Sequence, residues 1–595
     1  MRRFVSWGGL GILTFLRCLV DAQEVEQAVL TKVPEPKDDW DFAKGPTKNS
    51  THNLVFDTVG SFLQHWPNTR YRNGHNIVPG VVPIGTLLYH GTYRDQIPEE
   101  PEWTATDPEH AYLFCRSDSG RPGNSANGCW QLTLVTTRPL KVIYFDGSSA
   151  AKMRGGPMDS QDLVIWGRVR PEYVMKERER ADKLCEWGKR YDLDGFVRME
   201  MDFEIILCDF TAGVKPVSFH NLATVNMDLP PIPPGPRQPP PPSPTSNTTL
   251  HLRPSSPGSQ RRIAPMFRVV ESGSWHNHYP GDTRMQLDYS RMISFYDTDM
   301  FPSLQVARAG KGRLNHSLEG IAPSDVLQLQ LHLNELLTND SGVIASGIEW
   351  ASLIKQIMQR YAESLELLHY ILNSTSETDA EGALKQAHRH LTSMLAPYIL
   401  HAAVPPMDGS TSHSWAAPIF EHCATTHTSH IETISTTLTY SEKLILQAIQ
   451  GVSKEICRVL VTTWAEGMET DAIAFDLVDT ESSPIQELLK TWKLRVEDLM
   501  AWLDWSYWRT CHPACSYEEM CYLPTWPFFS HNRGGPRPPL PGLQGSTKPL
   551  SRFMTWVQET LTFKTDETPA PSEPHEVWVD PQPSCIRRVE PLDFK

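Results

Sequence analysis

The chain has 595 residues and a formal net charge of −15. That length exceeds what one hydrophobic core serves, so two to three folded units are expected. The acidity comes without any basic stripe, which argues against a nucleic-acid partner, since such a partner needs clustered cations for its phosphates.

Arg2 and Arg3 precede an apolar stretch from Phe4 to Leu16, and Val20-Asp21-Ala22 offers the small residues of a signal-peptidase site. Residues 1–22 are therefore expected to be a secretory signal and the mature protein to be extracellular. No later run approaches about 20 apolar residues, so no transmembrane segment is expected after the signal is removed. Cys18 leaves with the signal. Ten cysteines remain, four before a proline-rich stretch (Cys115, Cys129, Cys185, Cys208) and six after it (Cys423, Cys457, Cys511, Cys515, Cys521, Cys585). Even numbers on each side predict disulfides formed within each half. Sequons at Asn49, Asn247, Asn315, Asn339 and Asn373 suit a glycoprotein.

Residues 23–52 are polar and expected to be a flexible segment. Between 53 and 225, strand-like runs (Gly85–Tyr89, Leu132–Thr136, Lys141–Phe145, Gly195–Met199, Phe203–Phe210) alternate with helical patterns (Val55–His65, Asp107–Cys115, Pro171–Tyr191). This predicts an α+β domain with mainly antiparallel strands. Residues 226–262 contain the proline run of Pro230–Pro244, a stiff polyproline spacer. Across 263–529, apolar residues recur three and four apart in Pro323–Leu337, Ile348–Leu372, Ala380–Leu395, Thr433–Thr463 and Pro484–Tyr507. A mostly α-helical domain with a Cys-rich end is predicted there. Residues 530–595 form a Gly/Pro-rich tail that Cys585 can tie down.

Three pieces of the α+β region carry candidate chemistry. Pro83–Thr92 ends in His90-Gly91-Thr92. The imidazole is displayed at a strand end, beside a glycine that lets a flat ligand approach the backbone. Trp103–Phe114 leads into a helix opened by Pro108, with Ala111, Tyr112 and Phe114 on its inward side. Leu193–Phe210 reads as two short strands, with a carboxylate near the start of the second.

In order and spacing, these blocks resemble the nicotinamide pocket of the ADP-ribosyltransferase fold, in the diphtheria-toxin and poly-ADP-ribose-polymerase branch with its His–Tyr–Glu triad. The resemblance covers about residues 80–215 and nothing of the helical half. It implies NAD as substrate, with no permanently bound cofactor and no metal. His90 would hydrogen-bond the ribose, Gly91 would hold the nicotinamide amide through its backbone with Thr92 completing the motif, and Tyr112 would supply a stacking face. Glu204 would stabilise the oxocarbenium-like state as the nicotinamide–ribose bond breaks. ADP-ribose would pass to a protein acceptor or to water. Glu200 competes with Glu204 for that role, and Tyr89 or Tyr144 with Tyr112.

The competing expectation is a non-catalytic secreted glycoprotein acting at a cell wall or host surface. His90 is then an ordinary partly buried residue and Glu204 a strand-edge charge. In either case the helical domain is free to bind a protein or cell-wall partner. Elsewhere, Glu421–His430 and Cys511–Cys521 hold His and Cys at short spacing. An oxidising compartment predicts disulfides there rather than zinc, with the Cys511, Cys515 and Cys521 knot pinning the end of the preceding helix. Trp502, Trp505, Trp508 and Trp526 are expected in the core.

Overall fold

The strands of the first half are β1 (Asn76–Val82), β2 (Leu87–Thr92), β3 (Glu102–Ala105), β4 (Cys129–Thr136), β5 (Leu140–Phe145), β6 (Gly195–Met199), β7 (Phe203–Leu207) and β8 (Val214–Leu222). Two short strands from beyond the linker, β9 (Gln286–Leu287) and β10 (Ile293–Ser294), join them. The computed structural model describes residues 40–115, 128–222, 265–338, 345–373, 380–403, 405, 413–469, 482–527 and 576–588. The predicted signal, the proline run and most of the tail lie outside the described residues, as do the sequons at Asn247 and Asn339.

All ten strands form one sheet in the order β10-β1-β5-β6-β7-β3-β2-β4-β8, with β9 also on β1. Only β5 with β6 is parallel. Helices α1 (His52–Ser61) and α2 (His65–Arg70) precede the sheet, and α3 (Pro108–Tyr112) follows β3. Between β5 and β6 run α4 (Asp159–Trp166) and α5 (Glu177–Gly188). The second half contributes α6 (Pro265–Ser274), α7 (Pro302–Arg308), α8 (Pro323–Thr338), α9 (Trp350–Asn373), α10 (Ala380–Leu395), α11 (Ala417–Thr425), α12 (Ser429–Glu432), α13 (Tyr440–Glu469) and α14 (Ser482–Leu503). A two-stranded ribbon of β11 (Glu519–Tyr522) and β12 (Ser584–Arg587) follows. The expected α+β half and mostly helical half are both present. No helix among the described residues is long and apolar enough to cross a membrane.

Helices cover both faces of the sheet. On one face Val78, Val142, Val197 and Ile205 pack with Val55 and Phe56 of α1, in a cluster that continues through Ile354 of α9 to Ile449 of α13. On the other face Ile143, Phe196 and Ile206 meet Leu163 of α4, Ala181 of α5 and Leu329 of α8. Burial on two sides explains why Val142–Phe145 and Ile205–Leu207 read as continuous apolar runs instead of alternating ones. The linker therefore joins two halves that share their cores. All ten cysteines after Cys18 are paired within their own half, as Cys115–Cys129, Cys185–Cys208, Cys423–Cys457, Cys511–Cys521 and Cys515–Cys585.

Candidate functional site

Strand register decides which predicted site residues meet. Tyr89 of β2 lies opposite Ala105 of β3, and Ala105 lies opposite Glu204 of β7. Side chains alternate along a strand, so Tyr89, Gly91 and Glu204 share one face while His90 projects from the other. His90 and Glu204 are not brought together. His90 is buried, its Nδ1 lies 2.7 Å from the Trp103 carbonyl oxygen, and its ring meets Phe210 edge-on at 5.4 Å. Burial lowers its pKa, which leaves it an uncharged histidine inside the fold.

Gly91 does permit a close approach, but α3 makes it. A Cβ on Gly91 would stand 1.8 Å from the Ala111 carbonyl oxygen, so no flat ligand has room there in this arrangement. Thr92 is buried, with its hydroxyl accepting from the Arg94 N–H at 3.2 Å. Tyr112 ends α3, partly buried. Tyr144 is a core residue whose hydroxyl accepts from the Leu63 N–H. Tyr89 is the candidate ring on the Glu204 side.

Glu204 keeps different company, which the sequence did not single out. The β6–β7 hairpin turns through Glu200-Met201-Asp202 and buries Glu200, Asp202 and Glu204 completely or nearly so. Lys152 Nζ donates to Glu200 Oε2 at 3.0 Å, and His110 Nε2 from α3 stands 3.7 Å from Glu200 Oε1, beyond hydrogen-bond range. Arg198 donates to Glu204 at 2.5 Å, to Glu177 of α5 at 2.7 Å and to Gln161 of α4 at 3.1 Å. Next to this cluster, Asp107 accepts from Arg284 at 2.7 Å and lies 3.1 Å from His276 Nε2. Arg284 and His276 both come from beyond the linker, so the site draws on both halves.

Burial opposes every charge here and the partners decide the outcome. For Glu200, burial is overcome by Lys152 and His110, and its pKa is lowered. For His110, burial is overcome by Glu200, Asp202 and Glu204, and the pKa is raised, which favours the imidazolium. Glu204 is raised by burial despite Arg198. Asp202 is pushed up to about 7 by burial, with the Asp107 carboxylate adding to the effect. Both ring nitrogens of His110 and Oε1 of Glu200 have no hydrogen-bond partner although both residues are wholly buried. Each unmade bond of that kind costs roughly 1–3 kcal/mol, and groups kept at such cost are candidates for function.

Ligand atoms of His110, Glu200 and Glu204, and separately of Asp107, Asp202 and His276, lie within 4.8 Å of one another. Lys152, Arg198 and Arg284 already supply the positive charge that a metal ion would bring to these carboxylates.

Asp202 yields a pH prediction. Its folded pKa lies above that of the unfolded chain, so ionising it costs stability as pH rises from about 4 through about 7. Asp202→Asn keeps the oxygen that accepts from the Phe203 N–H. Relative to wild type it should gain about 3 kcal/mol more stability at pH 8 than at pH 4, measured by urea unfolding at both pH values. Equal gains at the two pH values would show that Asp202 titrates normally.

The Cys-rich end of the chain covers this cluster. Thr525 Oγ1 donates to the Glu200 carbonyl oxygen at 3.0 Å, and the Trp526 ring lies 4.8 Å from Lys152 Nζ. Tyr522, Met520 and Ile586 of the ribbon pack on Leu113, Phe114 and Met201. Trp526 and Trp578 pack on Ala151 and Met153 beside Lys152.

A family model described as the YPL277C N-terminal domain matches residues 46–133 and 129–235. Among curated proteins, the chain is 24% identical over 541 residues to the uncharacterized protein YOR389W of Saccharomyces cerevisiae, covering 80% of this chain and 82% of that one. It is 33% identical over 397 residues to the uncharacterized protein YPL277C of the same yeast, covering 56% of this chain and 78% of that one. The chain belongs to the YPL277C family. The stretch matched by the YPL277C model runs from before α1 to after β8 and holds Tyr89, His110, Lys152, Arg198, Glu200 and Glu204. Arg284, His276 and the covering ribbon lie beyond it.

Proposed function

We propose that this protein is a secreted NAD-consuming enzyme whose acid is Glu200. The nicotinamide–ribose bond would be cleaved and ADP-ribose transferred to a protein acceptor or to water. One observation carries the reading: Glu200 is a wholly buried carboxylate, held charged by Lys152 and His110, with its Oε1 outside hydrogen-bond range of any donor. A fixed carboxylate with one oxygen not yet hydrogen-bonded is suited to stabilise an oxocarbenium-like state, because it needs no reorganisation as positive charge develops. Glu204 is less suited, since burial raises its pKa toward the uncharged acid while two Arg198 donors share its Oε1. His110 and Lys152 would hold the Glu200 charge, and Tyr89 would offer the ring face.

The resemblance of the β2, β3–α3 and β6–β7 blocks to ADP-ribosyltransferases supports this reading, and those strands are neighbours in the sheet. Five disulfides support passage through an oxidising compartment. Asn49, Asn315 and Asn373 are exposed, as glycan acceptors must be. The helical half would brace the sheet and present a surface to a protein or cell-wall partner.

Incubated with NAD, the protein should release free nicotinamide, and Trp526→Ala, which bares Lys152, should release it faster. Glu200→Gln should cut the rate by about 100-fold or more, the scale on which one electrostatic stabiliser acts. Intact NAD with both wild type and Trp526→Ala overturns the proposal.

A second reading is favoured by the depth of the cluster. His110 and Glu200 are 0% exposed and Lys152 is 4% exposed. A non-catalytic secreted protein would keep these charges as a buried electrostatic staple, and NAD would then stay intact in every variant.

A further inference from the structure

We propose that the β11–β12 ribbon, with the Thr525-Trp526 segment that follows β11, is an autoinhibitory plug on the Glu200 site, held in place by the Cys515–Cys585 bridge. The inference rests on the reading of Glu200 as the acid and deepens it by naming how the site is regulated.

The contacts are those of an occupant. Thr525, distant from Glu200 by 325 positions in the chain, places a hydroxyl donor on the Glu200 carbonyl oxygen. Trp526 lays a planar ring over the Lys152 ammonium. A neutral ring and a hydrogen-bond donor are also what the adenine base of a dinucleotide would present, so plug and substrate would compete for the Lys152 face beside Glu200. Indole over ammonium is a favourable contact in its own right, strongest where water is excluded.

The plug is also separable from the rest of the fold. Its apolar residues belong to two small clusters, apart from the two large cores that join the sheet to the helices. At its rim Arg70 pairs with Asp580, Arg72 donates to the Val579 carbonyl oxygen at 3.0 Å, and Arg588 meets Glu271 at 3.2 Å. Asp580 and Arg588 are each about half exposed, where ion pairs hold weakly. Cys521 and Cys585 of the ribbon and their partners Cys511 and Cys515 are all partly exposed, whereas Cys115–Cys129 and Cys423–Cys457 are wholly buried. In the ribbon, Cys521 stands directly opposite Cys585, yet each is bonded to a cysteine of the preceding loop. The Cys515–Cys585 bridge thus fastens β12 to the loop before β11, across 70 positions.

The test uses the full chain with the double substitution Cys515→Ser/Cys585→Ser, read by hydrogen–deuterium exchange and by nicotinamide release from NAD. Exchange over residues 200–202 and 519–527 should quicken at least tenfold while α9 and α13 stay unchanged, and nicotinamide release should rise at least tenfold. Unchanged exchange over 200–202 overturns the plug. So does quickening that spreads into α9 and α13, which would make the bridge a general staple. Local opening with NAD left intact upholds the plug and defeats the NAD reading. Should the double variant not fold, Trp526→Ala removes the occupant and keeps the bridge, and the same local quickening over 200–202 decides.

Discussion

Arg198→Met is expected to lower stability by roughly 3–5 kcal/mol, the cost of stranding buried charges by removing their common partner. Arg198 is wholly buried and serves Glu177, Glu204 and Gln161 at once. Glu177 depends on it strongly. Burial would raise that carboxyl, but Arg198, with Lys152, holds it down at about 2. Methionine fills much of the same space, so the loss reports charge more than volume. Lys183, paired with Glu186 on the exposed side of α5, is the control, and Lys183→Met should change stability by less than about 0.5 kcal/mol. Urea unfolding measures both. A loss below about 1 kcal/mol for Arg198→Met would mean that water reaches the cluster and that its charges are not desolvated.

Gly91→Ala is expected to cost roughly 3 kcal/mol or more, above the usual range for overpacking, because the obstacle is backbone. The new methyl would sit 1.8 Å from the Ala111 carbonyl oxygen and 3.1 Å from the Cys115 nitrogen, so α3 must move off β2. Gly312 has nothing within 4 Å of its Cβ position and no left-handed backbone. Gly312→Ala should therefore be neutral or slightly stabilising. Thermal unfolding distinguishes the alternatives. If Gly91 faced an open ligand pocket, its alanine variant would fold like wild type and lose only affinity for NAD.

Where side-chain period and burial agreed, the sequence was readable. The stripe Ile354, Ile357, Met358, Tyr361, Leu365 and Leu368 is the buried face of α9, and the predicted bounds Ala380–Leu395 are those of α10. Predicted helix Thr433–Thr463 starts late, at Tyr440, because Ser435–Thr437 forms a separate tight turn. β1 escaped notice because Pro79 and Gly80 interrupt it. The sheet tolerates both. The Pro79 carbonyl accepts from the Asp288 N–H at 2.8 Å, and a Cβ on Gly80 would stand 2.6 Å from the Gln286 carbonyl oxygen. β9 and β10 are two residues each, too short to show any period.

The site was legible only in part, for a similar reason. Local motif reading found the three blocks and both carboxylates, but the face on which a side chain lands depends on register, which no short motif states. His110 lay within the second block, where the inward side was read as Ala111, Tyr112 and Phe114; one turn of a short helix cannot fix its own phase. Lys152 stands among small residues with no local signal at all. Its partner Glu200 is 48 positions away, and the Thr525 contact is more distant still. The cysteines fared better, because even counts on each side of the linker constrain them without any knowledge of the fold.

The central claim is that chemistry resides with Glu200 on the His110 and Lys152 face, and not with His90 behind the sheet. The most direct measurement compares nicotinamide release from NAD by Glu200→Gln and His90→Ala, each in the Trp526→Ala background and each normalised to folded protein. A loss of about 100-fold or more is expected for Glu200→Gln and a rate within a few-fold of the parent for His90→Ala. Loss of release by His90→Ala with activity retained in Glu200→Gln would contradict it.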